Sequence, residues 1–497
     1  MDRRILEHDA ESIFWTTWRL QLTIPSVLAE GEEFDLRITS FAPDEMPRHG
    51  FDREIVFTES PGIEGLPKSV ALFPEDGGCT TVRGLTAVGP ETARIVAVPQ
   101  GCPGEVKSNP AWVRKDPPYR VFWGDLHVHT KTSNCHAWAC KDPEFCYAYA
   151  RDAARLDFAA AADHLRGIAS EPERWARLQE LSRVYNEPGR FVSFLAFESS
   201  HRSGYGGDNN AYFLGDDAPY FWLDREDMKG NNPEVSMRQL WDFLDATGEP
   251  YMTAPHHTAR AFKYREFEKG EYDPEREAFF EVYSSWGSSE RRHTRFGIRG
   301  GNSEEAAYLQ DALRAGCRYG VLCSSDDHRT MPGGQGYNWT APAGTNNLSA
   351  YVHRGLAAIR APELSRKALW DALWKRRTYG TTFARTLLDF SIGDAQMGDA
   401  VKLGAGDSLR KKRTVTVDLL PEDHQAPSVI LVRNGEDIAR ADWSPEKPQV
   451  TFTDEEPLEK VAIRDARFHP EPFVVYYVRA ENVIDQTQWS SPIWLDL

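Results

Sequence analysis

The pattern of apolar and polar positions changes rhythm twice along the chain. Over residues 1–115, short runs alternate apolar and polar residues with the period of half-buried strands ("WRLQLTI", "EFDLRITSF", "ARIVAVPQ"), broken by turn clusters such as "PDEMPRHG" and "PEDGG". This predicts an all-β, sandwich-like module. The proline- and charge-rich "NPAWVRKDPPYR" then reads as a linker. From 116 to 386, apolar runs ("RVFWGDL", "LDFAAAAD", "RFVSFLAFE", "AYFLG", "PYMTAP", "AFFEVYS", "YGVLCSSD", "GLAAIRA") alternate with helical stretches. The helices are "PEFCYAYARDAARL", "EPERWARLQELSRVYN", "PEVSMRQLWDFLDATG", "SEEAAYLQDALRAG" and "PELSRKALWDALWKRR", several opened by Ser or Pro-Glu. Repeated strand–helix alternation predicts a parallel sheet closed into an α/β barrel. From 387 to 497 strand-like runs return ("TVTVDLL", "SVILVRNG", "FVVYYVRAEN"), predicting a second sandwich-like module.

Composition narrows the classes. A chain of 497 residues exceeds one ordinary core, and 41% hydrophobic with 27% charged residues is a globular balance. The formal net charge of −17 argues against nucleic acid or an anionic membrane surface as partner. No run reaches the ~18 apolar residues of a membrane helix, and the first residues lack a signal-type apolar region. Seven cysteines, an odd number in so long a chain, do not make a disulfide framework. The expectation is a cytoplasmic protein acting on a small, anionic molecule, with homo-oligomerisation left open.

The candidate chemistry lies in the middle segment, which holds ten of the fourteen histidines between His127 and His353. In "WGDLHVHTKTSNCH", His127 and His129 stand two apart at the end of an apolar run, so a strand would point both to one face, with His136 close behind. Other apolar runs end similarly: in Asp163-His164, in Glu198, in His256-His257, in Glu281 and in Asp326-Asp327-His328. One buried histidine is ordinarily a hydrogen-bonded core residue. A run of strand ends all carrying imidazole or carboxylate points to divalent metal. Cys135, Cys140 and Cys146 flank the first motif without C-x-x-C pairing, which fits structural thiols better than zinc ligands.

The ordered set "DLHVHT…ADH…E…PH…SDDH" resembles the PHP (polymerase and histidinol phosphatase) superfamily of metal-dependent phosphoesterases. "EVYSSWGSSE", "RRTYGTT", "MGD" and "WSSPIW" are similar to its domain of unknown function 3604 branch. The resemblance implies a distorted (β/α) barrel, flanked by the two sandwich modules, with two to three divalent ions (Zn, Mn or Fe) at its mouth. By that resemblance His127, His129, Glu198 and Asp326 hold the first ion, and Glu198 bridges to a second on His256. His164 and His328 hold the third, with His136 as a further partner. Asp163 is either a ligand or the group that orients a histidine. The sequence departs from the family at Asp208, where a histidine is usual, leaving Asp208 or His201 to complete the second ion. It departs again at His257, which replaces an asparagine and either adds a ligand or meets substrate.

The expected activity is hydrolysis of a small organic phosphate mono- or diester through metal-activated hydroxide. Arg166, beside the Asp163-His164 strand end, and Arg385, after "RRTYGTT", are the candidate phosphate clamps. Two readings stand beside it: the same metals acting on an amide, carboxylic ester or sulfate, and a binding protein in which the barrel is a relic.

Overall fold

The structure is a computed structural model, and it describes residues 19–497 apart from 43, 49–50, 52, 59, 90–91, 101–103, 134–139, 165–171, 202, 220–235, 299–300, 302, 335–353, 423–426 and 483–485. In the N-terminal segment the alternating runs become strands. Strands Arg19–Thr23, Glu33–Phe41 and Cys79–Ala87 form one antiparallel sheet, and Glu54–Phe57 and Val96–Pro99 lie in a second. Inward-facing Leu20, Leu36, Ile38, Ile55, Leu85 and Ile95 fill the space between them.

Every apolar run of the middle segment becomes a strand, and the five expected helices form at Pro143–Ala148, Pro172–Val184, Met237–Thr247, Leu309–Arg314 and Arg366–Trp374. The helix Met237–Thr247 shows the local logic. Ser236 accepts from Gln239 N while the Gln239 side chain reaches back to the Ser236 backbone, and Gly248 closes the other end in the left-handed region. Met237, Leu240, Trp241 and Leu244 make its buried face.

The expected (β/α) barrel does not form. One mixed sheet of 16 strands runs through this segment and on into the C-terminal strands, and no pairing among the described residues closes it. Arg120–Val128, Phe158–His164 and Val192–Ser200 are mutually parallel, but Asp208–Phe213 is antiparallel to both Val192–Ser200 and Tyr251–His256. Gly355–Ala361 and Thr378–Thr382 add antiparallel strands on the other flank. The reason is connection length. A parallel crossover needs a dozen or more residues, and the few between Ser200 and Asp208 permit only a hairpin. Gly207 makes that hairpin fit: it has φ +64°, and a Cβ there would lie 2.8 Å from the Lys263 carbonyl oxygen.

At the C-terminal end, Tyr379, Gly380 and Thr381 pair directly with Ser490, Trp489 and Gln488, so the last strands extend the central sheet. Strands Ser428–Arg433 and Phe473–Glu481 are buried on both faces. Val429, Leu431, Tyr476 and Val478 pack toward Phe390, Val417 and Phe452 of a four-stranded sheet. Ile430, Val432, Val475 and Tyr477 pack the other way, on Phe280, Leu309 and Leu313. That second layer backs the strand that carries Glu281.

Candidate metal centre

Strand register assembles the centre. One row across the sheet runs from Ser200 to Asp208, His256 and Glu281, and a neighbouring row places His164 beside Glu198 and Asn210. His127 and His129 close one side from the end of Arg120–Val128, their rings 5.1 Å apart. Asp326 and His328 enter from beyond Gly320–Cys323, where His129 N donates to Asp327 O over 2.9 Å. Two of these residues hold unusual backbone, Asp326 at φ 47° and His257 at φ 31°. Non-glycine residues there cost ~1–3 kcal/mol each, and such strain concentrates at functional sites.

The donors converge. Glu198 Oε2 lies 2.9 Å from His164 Nδ1, 3.3 Å from His129 Nε2 and 3.7 Å from His127 Nε2. Asp326 Oδ1 lies 3.0 Å from His129 Nε2 and 3.6 Å from both His127 Nε2 and His328 Nδ1. Glu198 Oε1 is 2.9 Å from His256 Nε2. Four sets place one ligand atom per residue within 4.8 Å of one another: His127, His129 and Glu198; His127, His256 and Asp326; His129, His164 and His328; and Glu198, Asp208, His256 and His257. Despite this crowding, His127 Nε2, Glu198 Oε2 and Asp208 Oδ1 are buried without a hydrogen bond of acceptable geometry. Buried imidazoles and carboxylates that crowd together with polar atoms left unpaired fit a divalent cation better than a hydrogen-bonded core. The mixed imidazole–carboxylate donors suit zinc, manganese or iron.

Partners on the far side of the imidazoles hold them in place. His127 Nδ1 is 3.1 Å from Glu281 Oε2, and His129 Nδ1 is 3.4 Å from Ser133 Oγ, so in both rings Nε2 is the atom turned to the centre. The electrostatics follow from four buried carboxylates in one place. Burial opposes ionisation of Glu198, but His164 and His256 overcome it and hold its pKa well below the usual range. Asp326 is likewise held low against its burial by His127 and His129. Burial would discharge His127, yet Asp326 and Glu281 outweigh it and keep its pKa well above the ordinary histidine value. His257 goes the other way, to about 3, through burial and then the neighbouring His256. It is therefore a neutral imidazole with a lone pair to offer.

Of the candidates from sequence, His127, His129, His164, Glu198, Asp208, His256, Asp326 and His328 are brought together. His136 and Arg166 lie outside the described residues, as does Cys135. Asp163 sits behind the centre, its carboxylate accepting from Thr130 N over 2.6 Å and Thr130 Oγ1 over 2.7 Å. It thereby fixes the turn that follows His129. Arg385 is not at the centre. Its guanidinium donates to the Ala154 and Arg155 carbonyls, 2.9 and 2.8 Å away, capping the carbonyl end of the helical segment before them. A sequence position just after a strand carries no information about which side of the sheet the side chain takes.

Asp208 has a resident cation. Lys263 Nζ is 2.8 Å from Asp208 Oδ2, and His257 Nε2 is 3.5 Å from the same oxygen. Against its burial, the Lys263 ammonium lowers the Asp208 pKa. Lys263 escaped sequence reasoning because it belongs to a loop with no strand periodicity. Asp125 was also missed, although it stands in the same "GDLHVH" run. It is fully buried, burial pushes it up to about 6, and it accepts from Ser325 N over 2.9 Å, tying the His127 strand to the Asp326 loop. Behind that loop Asp327 pairs with Arg354 at 3.0 Å, and Arg354 and Arg329 share Glu45 of the N-terminal module.

No family model matches the chain. It is similar to an uncharacterized protein of Chlamydia pneumoniae, 25% identical over 389 residues, covering 76% of this chain and 57% of that protein. A second such protein, from Chlamydia muridarum, is 23% identical over 494 residues, covering 96% of this chain and 74% of its own length. The chain thus spans little more than half of the first relative. Dimeric latent PorU from Porphyromonas gingivalis aligns at a TM-score of 0.15 and 7% identity, covering 97% of this chain and 34% of that one. Agreement that low carries no fold assignment. Among the described residues, no helix is long and apolar enough to cross a membrane.

Proposed function

We propose that this chain is a metal-dependent hydrolase holding two to three divalent ions, and that its substrate is a small organic phosphate mono- or diester. The observation that carries the reading is the convergence of His127, His129, Glu198, His256 and Asp326, with buried lone pairs aimed at a shared space. The ordered ligand motifs that resemble the PHP phosphoesterases support it. The barrel implied by that resemblance is absent, so the reading rests on the donors and not on architecture.

Divalent ions in such a site lower the pKa of water and polarise phosphoryl oxygens. The remaining roles belong to the chain. Glu281 orients His127, Ser133 orients His129, and Asp163 and Asp125 lock the two turns that deliver His129 and Asp326. Zinc, manganese and iron all suit the donors, and the five described cysteines are buried free thiols, which supports a reducing, cytoplasmic setting.

The test is metal analysis of the purified protein, followed by chromogenic phosphomonoesters, phosphodiesters, carboxylic esters, amides and sulfate esters with each metal in turn. Turnover of a phosphoester with bound metal is expected. Metal without phosphoester turnover moves the reading to another bond, and the absence of metal overturns it.

A further inference from the structure

An anionic substrate approaching a chain of net charge −17 needs a local positive group, and Arg385 does not supply it. The segment after His256 offers two cations. It is pinned in place by Thr258 Oγ1 donating to Ala307 O over 2.6 Å, Ala259 N to Ser289 Oγ over 3.2 Å and Ala261 N to Gly301 O over 3.0 Å. Lys263 spends its charge on Asp208. Arg260 does not: its guanidinium pairs with no carboxylate among the described residues, and its Nε is buried without a hydrogen bond. Its Cζ lies 4.1 Å from the centre of the Trp286 ring and 5.7 Å from that of Phe262, which is 58% exposed. The Trp286 ring in turn lies 6.1 Å from both His257 and His328. The arginine therefore stands where the metal centre meets solvent, on a wall shared with two of its histidines.

We infer that Arg260, held against the Trp286 ring, is the residue that receives the phosphoryl oxygens of the substrate. This rests on the phosphoester reading above. A guanidinium stacked on an aromatic face keeps its N–H fork free at the edge, where it matches two oxygens of a tetrahedral oxyanion. An ammonium in its place would offer a point charge without that geometry. The partly exposed flank at Phe262 leaves room for the organic remainder of the ester.

The probe is inorganic phosphate, titrated calorimetrically into the whole 497-residue, metal-loaded chain after removal of free metal, with sulfate in a parallel arm. Arg260→Met keeps the stem that packs on Trp286 and removes the charge. It should weaken phosphate binding at least tenfold with metal content unchanged, and with a chromogenic ester KM should rise more than kcat falls. Arg260→Lys should recover part of the loss, and it answers the question if the methionine variant does not fold. Equal phosphate affinity in wild type and variants, or a metal-loaded wild type that binds no phosphate, overturns the inference while leaving the hydrolase reading standing. Sulfate bound as tightly as phosphate, with the same Arg260 dependence, would keep the residue and overturn the phosphate assignment. A wild type without metal sinks the hydrolase reading instead, and metal analysis identifies that failure before any titration.

Discussion

Two buried polar regions lie a short way apart and behave as opposites. Around Glu277 both carboxylate oxygens are met: Arg265 Nη1 donates to Oε1 over 2.6 Å, and Arg265 Nη2 and Tyr319 OH each donate to Oε2 over 2.9 Å. Around Glu198 four imidazoles and the Asp326 carboxylate crowd together, and Oε2 finds no hydrogen bond of acceptable geometry. Both regions are nearly solvent-free. Burial of charge therefore does not mark a site. What marks it is burial with the pairing left incomplete, since an unpaired buried charge is too costly to persist without another partner.

Predictions follow this contrast from the largest effect down. Glu198→Gln removes the anion on which four imidazoles converge, and should cost at least one ion per chain by elemental analysis and about a thousandfold or more in activity. Chelation should lower the melting temperature of the wild type but leave this variant nearly unmoved. Unchanged metal content in the variant would erase the distinction between the two regions. At the paired region, Glu277→Gln or Arg265→Met should destabilise by about 3–5 kcal/mol in denaturant unfolding while the folded fraction keeps its metal. Replacing both together by Leu and Met should recover much of that loss, as it would not at the metal centre.

A finer probe is Glu281→Gln, which leaves the ligands intact but loosens His127. Metal affinity should fall roughly 10–100-fold, measured by competition with a chromophoric chelator, and stability of the metal-free protein should change little. The smallest effect is expected far from the centre, at Asp454. Burial opposes its charge, but Tyr476, Arg413 and Arg433 bring its pKa down to about 2 from an ordinary 3.8. A depressed carboxylate contributes stability that is full above pH ~4 and is lost as pH falls through about 2. Asp454→Asn should therefore flatten acid unfolding in that window and leave metal binding alone.

Alternating and helical periodicity sufficed to place nearly every strand and helix of the middle segment, because burial of one face is a local property of residue spacing. The same local rules put His127, His129, His164, Glu198, His256 and Asp326 at strand ends. Pairing is not local. A hairpin between Ser200 and Asp208, and a flank of antiparallel strands, turned an expected closed barrel into an open mixed sheet that continues into the C-terminal strands. Direction of side chains out of loops was equally beyond the sequence. Arg385 turned to the Ala154 and Arg155 carbonyls, while Lys263 and Arg260, unremarkable in a loop, were carried to the centre by contacts with distant residues. The sequence by itself determined the elements and the donor types, which spacing and chemistry set. Only the tertiary structure decided which lone pairs meet and which cations stand beside them, because those distances depend on register between strands far apart in the chain.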